Sequence, residues 1–410
     1  MIGTVAYLAM HSCPLLQPGT GDAGGMNVYI NELACTMAGR GVEVVVFTRL
    51  TADHLPDEIL VEPGYRVVHL EAGPAEPMAI EDMPAHAGVF GRAVVEWADA
   101  TGTSFDLVHS HYWLSGWAGV IVKEALGVPL ANSFHTLGRV KDVTRRPDQP
   151  ESSTMRVRTE EDVIAQSDCV ISSTPYEFDD LLEHYAASPE RLCVSPPGID
   201  HRIFTPGDQI EARGRLGMGA EPIVLSVGRI QATKGPDIAI RALALLPNRL
   251  AAGTGEPRLV FVGGPSGPGG EAEISGLRGL ADDLGVGDRV EFLPPVAHNE
   301  LAEFYRAADV LVMPSRSESF GLVAAEAQAC GLPVVAARVG GLPSVVHDSE
   351  AGILVNGFEP TSFAGALTAV LDHPDFADRL SAGALHWAER FSWPATADRL
   401  LELYAGILQQ

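Results

Sequence analysis

Two glutamates near the carboxyl end of the chain have the spacing of a site for an extended ligand. Glu318 and Glu326 stand eight positions apart, in a stretch of helix-forming residues that ends at Gly331. If both lay on one helix, their carboxylates would be separated by about 12 Å along its axis. That is roughly the span of a nucleotide-sugar from hexose to ribose, and a helix N-terminus beside Glu318 would attract an anion. Two solvated helix glutamates are the alternative.

Two cations follow an earlier strand of the same half of the chain. Arg229 and Lys234 lie in the loop Gly228-Arg-Ile-Gln-Ala-Thr-Lys-Gly235, directly after the predicted strand 223–227. A planar guanidinium and a compact ammonium together suit a diphosphate. Because the net charge of the whole chain is −25, we interpret these cations as ligand-binding, with idle surface charges as the alternative.

A pair of glycines opens the first predicted helix. Gly24 and Gly25 follow a first strand at 4–10 and precede a helix predicted from about Met26 to Gly39. Without side chains, their backbone N–H groups can approach an anion closely. The spacing is not Gly-x-Gly-x-x-Gly, which argues against a simple dinucleotide-binding fold. A flexible loop with helix-capping glycines is the alternative.

The elements that must position these residues alternate between strand and helix. This order predicts an α/β fold of mostly parallel sheets, with ligands at the carboxyl ends of the strands. A length of 410 residues favours two domains, and the proline-rich stretch 195–206 is the predicted hinge. We predict domains at 1–197 and 198–390, with a C-terminal helix at about 391–410 that crosses back onto the first domain. Predicted strands lie at 4–10, 42–48, 66–70, 107–110, 130–134, 169–173, 191–195, 223–227, 259–262, 290–293, 310–313 and 334–337.

Polar residues also cluster after the strands of the first half. His109 and His111 are two residues apart on one strand, and we expect their rings on opposite faces, which argues against a shared metal. Arg156 or Arg158 is a candidate ligand for an anionic substrate group. Pairing of these arginines with nearby helix glutamates is the alternative.

Composition excludes several classes of partner. The excess of acidic residues argues against nucleic acid or an anionic membrane. Five scattered cysteines without Cys-x-x-Cys spacing indicate neither a disulfide framework nor a zinc site, and they fit a reducing cytoplasm. The N-terminus lacks the features of a signal peptide. The glycine-rich stretch 262–270 lacks the ending of a P-loop, and we predict a mobile loop there.

Together these motifs resemble the retaining glycosyltransferases of the GT-B type, the family that includes sucrose-phosphate synthase and glycogen synthase-like enzymes. The resemblance covers essentially the whole chain and implies two Rossmann-like domains around a cleft. It implies that Arg229 and Lys234 hold the donor diphosphate and that Glu326 binds the ribose. Glu318 would meet the hexose and phosphate. The full donor set that it implies is Gly24, Gly25, Arg229, Lys234, Glu318, Ser319, Phe320, Gly321 and Glu326.

Three N-terminal stretches resemble a branch of that family which transfers N-acetylglucosamine from UDP-GlcNAc to an inositol phosphate in the mycothiol pathway. They are Pro18–Tyr29, His109–Gly116 and His135–Lys141. The resemblance implies that His135 lies near the reacting hydroxyl. It implies an acceptor site of Asn27, Tyr112, Thr136 and Arg156, and a catalytic set of His135, Glu318, Arg229 and Lys234.

One departure leaves the acceptor open. A lysine that helps to hold the acceptor phosphate in that branch is absent from the matching stretch 75–84, where Ile80 stands, with Glu76, Glu81 and Asp82 nearby. Carboxylates favour a neutral or cationic acceptor, so an aminocyclitol such as 2-deoxystreptamine is the alternative. A nucleotide-sugar epimerase or hydrolase and a non-catalytic UDP-sugar-binding module are further alternatives.

The expected reaction moves a hexose from a UDP-sugar to a cyclitol hydroxyl with retention at the anomeric carbon. No side chain is an obvious nucleophile, which favours front-face attack. We expect no essential cofactor and no metal site, since arginine and lysine can neutralise the diphosphate, and magnesium is not expected to be required. The expected partners are the UDP-sugar and a small cyclitol, with no nucleic acid and no membrane insertion; a homodimer is left open.

Overall fold

The computed structural model describes residues 2–146, 149–251, 255–265 and 270–409. Within them the chain forms two α/β units, each built on its own sheet, with a cleft between them. The predicted fold class is confirmed. Residues 266–269, the centre of the predicted glycine-rich loop, lie outside the described residues.

The first unit has eight strands in the order β3-β4-β2-β1-β5-β6-β7-β8, and all neighbours are parallel except the antiparallel pair β3 and β4. Its strands are β1 Thr4–Leu8, β2 Glu43–Arg49, β3 Glu58–Glu62, β4 Tyr65–Leu70, β5 Leu107–His111, β6 Leu130–Ser133, β7 Cys169–Ser172 and β8 Leu192–Val194. Its helices are α1 Gly25–Ala38, α2 Pro84–Thr101, α3 Tyr112–Leu126, α4 Gly138–Val143, α5 Thr154–Gln166 and α6 Pro175–Tyr185.

The second unit has six parallel strands in the order β11-β10-β9-β12-β13-β14. Its strands are β9 Ile223–Val227, β10 Arg258–Val262, β11 Val290–Leu293, β12 Val310–Met313, β13 Val334–Ala337 and β14 Gly352–Val355. The helices of this half of the chain are α7 Gln209–Leu216, α8 Pro236–Ala244, α9 Gly270–Asp283, α10 Leu301–Ala307, α11 Leu322–Ala329, α12 Leu342–Val345, α13 Pro360–Leu371, α14 Pro374–Ala388 and α15 Trp393–Ile407.

Burial on both faces explains why most strands were recognisable. Val310–Met313 is completely buried, as is most of Glu43–Arg49, because helices cover both faces of a parallel sheet and select continuous apolar runs. The prediction missed two strands. Glu58–Glu62 is an exposed edge strand with a glutamate at each end, and Gly352–Val355 is four residues long and begins with glycine.

The last helix, α15, packs on the first unit. Its buried residues Trp393, Leu400 and Tyr404 join the cluster formed by the first strand and α1. The hydroxyl of Tyr404 lies 3.2 Å from that of Tyr7 on β1. The predicted crossing of the C-terminal helix is therefore confirmed. The boundary at residue 197/198 stays a prediction, between the end of β8 at Val194 and the start of β9.

The cysteine prediction needs one correction. Cys169 on β7 and Cys193 on β8 form a disulfide, with their Cα atoms 6.5 Å apart. The two residues are 24 positions apart in sequence and become neighbours only because β7 and β8 pair side by side. No local spacing in the sequence could have indicated this pair.

Candidate active site

The motif residues follow the strands at which the strand order of each sheet reverses. In the first sheet the order reverses between β1 and β5, and in the second between β9 and β12. Ligands of open α/β sheets bind at such points, beyond the carboxyl ends of the strands. The Gly24-Gly25 loop follows β1 and Tyr112 follows β5, whereas Arg229 follows β9 and Glu318 follows β12.

These loops face each other across a cleft of about 400 Å³. The cleft is lined by residues of both units, which brings together most of the sequence-predicted site. The predicted residues that line it are Gly24, Gly25, Tyr112, His135, Thr136, Arg229, Lys234, Glu318, Ser319, Phe320, Gly321 and Glu326. Asn27 and Arg156 do not line it.

Lys234 and Glu318 form an ion pair on the second-unit side of the cleft, 2.5 Å from Nζ to Oε2. Gly235 follows the lysine directly, and its φ is +66°. A Cβ at this position would lie 2.2 Å from the carbonyl oxygen of Pro314. No other residue type fits that backbone position without a shift. Arg229 reaches across the cleft to Asp22, 3.7 Å away.

Glu318 lies in a loop and not on a helix, because α11 begins only at Leu322. The separation estimated for the case in which both residues are helical therefore does not apply. The loop rests on Gly340 and Gly341, where a Cβ would come within 2.0 Å of the Glu318 carbonyl oxygen and 2.1 Å of that of Ser319. The sequence analysis missed these two glycines, although a Gly-Gly pair after a strand was the signal.

Glu326 is buried on α11 and is held from two sides. His298 Nε2 lies 2.7 Å from its Oε1, and the hydroxyl of Tyr305 donates to its Oε2 at 2.9 Å. Burial disfavours the imidazolium, but the neighbouring carboxylate outweighs this and raises the pKa of His298. His298 lines the cleft and was missed, since a lone histidine at the start of a helix gives no sequence signal.

The start of α1 offers open backbone donors. The N–H groups of Gly25 and Met26 have no hydrogen-bond partner among the described residues, as expected for the first turn of a helix. Asn27 is buried behind them. Its Oδ1 accepts from Gly24 N at 2.9 Å and its Nδ2 donates to Ser12 and to the carbonyl of Cys13. The structure thus places Asn27 as a brace of the glycine loop.

Arg156 lies beneath the first-unit side of the cleft. Its Nε donates to Glu160 at 2.8 Å and its Nη2 to the carbonyl and hydroxyl of Thr136. Its guanidinium stacks 5.2 Å from the ring centroid of Tyr112. Arg156 therefore supports Thr136 and Tyr112 from below, while Arg158 is exposed on the helix surface.

Lys141 is a cleft residue to which the prediction assigned no role. Its Nζ has no hydrogen-bond or ion-pair partner within the described part of the chain. Burial, together with the nearby charges of Arg156 and Arg229, lowers its pKa to about 8. Ile80 also lines the cleft, so an unpaired cation and an apolar residue both border the space available to a ligand.

The expectation for His109 and His111 was wrong. Strand residues two positions apart share a face, and the ring centroids lie 4.3 Å apart on the same side of the sheet. Both rings are buried, and burial lowers the pKa of His109 to about 3. No group of three or more metal-ligating side chains occurs among the described residues; whether a metal takes part in the reaction stays a prediction.

Two cleft residues of the first unit adopt backbone conformations that residues other than glycine rarely take. The φ angle is +77° at Tyr112 and +58° at His135. Such conformations persist where surrounding contacts hold them, and they cluster at functional sites. At His135 one of those contacts comes from the other unit, since the Ser319 hydroxyl donates to its carbonyl oxygen.

Comparisons with known proteins agree with this architecture. Residues 208–387 match the family described as glycosyl transferases group 1, and residues 24–198 match a glycosyl transferase 4-like domain. A D-inositol 3-phosphate glycosyltransferase of Acidothermus cellulolyticus is 46% identical over 99% of this chain and 91% of that protein. The chain belongs to this glycosyltransferase family. A relative of the same name from Thermomonospora curvata is 45% identical over 99% of this chain and 96% of its own.

Solved structures place the glycosyltransferase in the GT-B fold. Sucrose-phosphate synthase from Thermosynechococcus elongatus superposes with a TM-score of 0.91 at 32% identity, covering 99% of both chains. Anabaena HepE, solved in complex with UDP and glucose, superposes with a TM-score of 0.77 at 20% identity, covering 98% of this chain and 100% of its own. Within the described residues, no helix combines the length and apolar character needed to span a membrane.

Proposed function

We propose that this glycosyltransferase moves N-acetylglucosamine from UDP-GlcNAc to a hydroxyl of an inositol phosphate, with retention at the anomeric carbon. The observation that carries the donor assignment is the meeting of Arg229, Lys234 and the open N–H groups of Gly25 and Met26 at one cleft. The relatives that are 44–46% identical are named D-inositol 3-phosphate glycosyltransferases, which supports the acceptor.

The donor side of the cleft suits a nucleoside diphosphate. In the proposed complex the diphosphate takes over the Lys234 ammonium from Glu318 and the Arg229 guanidinium from Asp22. Both cations and the α1 amides then stabilise the negative charge that develops on the leaving phosphate. Glu318, released from Lys234, accepts from hexose hydroxyls, and Glu326 accepts from the ribose diol.

The carboxylates of the cleft have other partners, which supports front-face attack. Glu326 and Glu177 accept hydrogen bonds from protein groups, and in the proposed complex Glu318 binds the hexose hydroxyls. In the proposed mechanism no carboxylate attacks the anomeric carbon. The acceptor hydroxyl adds on the face from which UDP departs, and its proton passes to the departing phosphate oxygen. Closure of the two units excludes water from this step.

Lys141 favours an anionic acceptor. It is a cation with no hydrogen-bond or ion-pair partner among the described residues, partly withdrawn from water, on the first-unit side of the cleft. A phosphate on the acceptor would supply the missing counter-charge, and charge-assisted contacts of this kind are among the stronger hydrogen bonds. Arg156 adds positive potential from below.

An aminocyclitol such as 2-deoxystreptamine is the second candidate acceptor. Ile80 borders the cleft and offers no charge to a phosphate. Glu76 and Glu81 are exposed on the same stretch of chain, and Asp82 is exposed beside them. Carboxylates in that loop would attract an ammonium group, which an inositol phosphate lacks.

Mass spectrometry of the products separates these candidates. The chain is incubated with UDP-GlcNAc and either an inositol phosphate or 2-deoxystreptamine. Our proposal predicts an N-acetylhexosaminyl inositol phosphate and an equimolar amount of UDP. Formation of only the aminocyclitol product would favour the second candidate. Sugar release or epimerisation without any acceptor would indicate a hydrolase or epimerase, and UDP-sugar binding without turnover would indicate a binding module.

A further inference from the structure

His135 is held by a second histidine that the proposed mechanism does not use. His111 ends β5 and is fully buried, and its Nδ1 lies 3.1 Å from His135 Nε2. The two ring planes are inclined by 28° and meet edge to edge. His111 lies opposite Ser133, the last residue of the neighbouring strand β6, and His135 follows Ser133 by two residues. One of the two nitrogens must donate and the other must accept.

The remaining nitrogen of each ring differs in its surroundings. Nε2 of His111 is buried and has no hydrogen-bond partner among the described residues. His135 lines the cleft, and its Nδ1 is neither bonded to a described residue nor among the buried unpartnered atoms. The free nitrogen of His135 therefore faces the cleft, while that of His111 faces the protein interior.

The lack of a described partner at Nε2 of His111 indicates which ring nitrogen carries the proton. Burial keeps both rings neutral, since it lowers the pKa of His135 to about 3 and that of His111 well below its ordinary value. A neutral ring carries one N–H. On Nε2 of His111, that N–H would be a buried donor without an acceptor, which proteins rarely tolerate. If the proton is on Nδ1 of His111 instead, this N–H donates to His135 Nε2. Nε2 of His111 then carries only a lone pair without a partner.

We propose that His111 is a positioning residue that fixes His135 as its Nδ1–H tautomer, so that His135 presents a hydrogen-bond donor to a substrate oxygen in the cleft. His135 Nε2 accepts from His111, which leaves the His135 proton on Nδ1. His135 therefore does not serve as the base for the acceptor hydroxyl. Only the identity of the substrate oxygen rests on the proposed function.

The neighbouring histidine shows the contrast within the same strand. Nδ1 of His109 contacts the Tyr404 hydroxyl at 2.6 Å and its Nε2 contacts Ser133 at 2.9 Å. Both partners are hydroxyls, which can donate or accept, so these two contacts do not by themselves define the tautomer of His109. Among the described residues the ring of His111 has one hydrogen-bond partner, and this asymmetry defines the direction of its hydrogen bond.

Long-range proton–nitrogen NMR correlation of the chain with ¹⁵N-labelled histidine tests the tautomer directly. The spectrum of His135→Asn identifies the His135 signals. We expect a protonated Nδ1 and an unprotonated Nε2 at His135, without substrate and with UDP bound. A proton on His135 Nε2 would overturn the proposal. This spectrum needs no acceptor, so a wrong acceptor assignment would leave it unchanged.

Two variants of equal size test the functional consequence. In His111→Asn an amide N–H can replace Nδ1–H, whereas His111→Asp puts an acceptor there and reverses the His135 tautomer. We expect His111→Asn to keep kcat within about threefold and His111→Asp to lose about tenfold or more, with KM for the UDP-sugar less affected. Equal activity of the two folded variants would contradict the proposal. If His111→Asp does not fold, the wild-type spectrum still decides.

Discussion

At the scale of single residues, Lys234 has the largest predicted effect on turnover. Lys234→Ala should lower kcat by about 10²–10³-fold, the range typical for loss of one preorganised charge stabiliser at a reacting centre. The substitution also leaves Glu318 without its partner at 2.5 Å. Steady-state kinetics with UDP-GlcNAc measure the loss. Lys123→Ala is the matched control, since Lys123 pairs with Asp168 away from the cleft; an equal loss in both variants would refute the assignment.

Lys141 carries the prediction about acceptor charge. Lys141→Met should raise the KM for an inositol phosphate about tenfold, the loss of one charge-assisted contact, and leave the KM for UDP-GlcNAc nearly unchanged. Because its pKa is lowered to about 8, the lysine loses its charge as pH rises through that value. Wild-type KM for the acceptor should therefore rise above about pH 8. A flat profile, or an equal change in donor KM, would speak against this role.

All residues predicted for the donor line the cleft, whereas two of those predicted for the acceptor, Asn27 and Arg156, do not. Arg229 and Lys234 follow a strand end, and their chemistry shows in the sequence. The proposed role of Lys141 depends on its burial in the cleft, and the position of His298 depends on Glu326, a partner distant in sequence; no local pattern contains either. Arg156 and Asn27 were placed in the acceptor site, yet their polar atoms are used within the first unit. Sequence indicates which residues gather at a site, but not which of them face its ligand.

At the scale of elements, Gly340 allows a test of the loop that carries Glu318. Gly340→Ala would bring a Cβ within 2.0 Å of the Glu318 carbonyl oxygen and should displace the loop. We expect at least a tenfold loss of kcat/KM for the donor, a cost of about 1.4 kcal/mol or more. Gly357→Ala is the control, since its φ is +77° and a Cβ there meets nothing within 4 Å. Comparable activity losses in both variants would contradict the account.

The crossing helix α15 makes a prediction about stability. The Tyr404 hydroxyl contacts His109 at 2.6 Å and Tyr7 at 3.2 Å, all buried. Tyr404→Phe removes one hydrogen-bond partner from His109 and one from Tyr7. It should lower the free energy of unfolding by about 1–3 kcal/mol. Urea denaturation measures the change. Tyr176→Phe, at a side chain that is 46% exposed, should have little effect; equal stability of both variants would show that the hydroxyl network does not stabilise the crossing.

The alternation of strand and helix was predictable because parallel strands buried on both faces leave continuous apolar runs in the sequence. The prediction missed Glu58–Glu62 because a partly exposed edge strand with a glutamate at each end lacks that run. The prediction missed the loop conformation of Glu318 for a different reason. Gly340 and Gly341, more than twenty positions away, set it, and such long-range contacts do not show in local periodicity.

At the scale of the whole molecule, hydrogen bonds across the cleft join the two units. The Ser319 hydroxyl donates to the carbonyl of His135, and the Ser173 hydroxyl lies 3.1 Å from the carbonyl oxygen of Ser319. The Thr144 hydroxyl donates to the carbonyl of Arg316. The loop that carries Glu318 thus contacts the first unit directly, at the backbone of His135 and at Ser173.

Proton NMR of the reaction followed in real time tests the central claim most directly. The chain is mixed with UDP-GlcNAc and an inositol phosphate, and the anomeric signals are observed as UDP accumulates. The account predicts one new glycoside with the same α-anomeric configuration as the donor, formed in equal amount to UDP and only when the acceptor is present. A β-linked product, or UDP released at the same rate without acceptor, would contradict it.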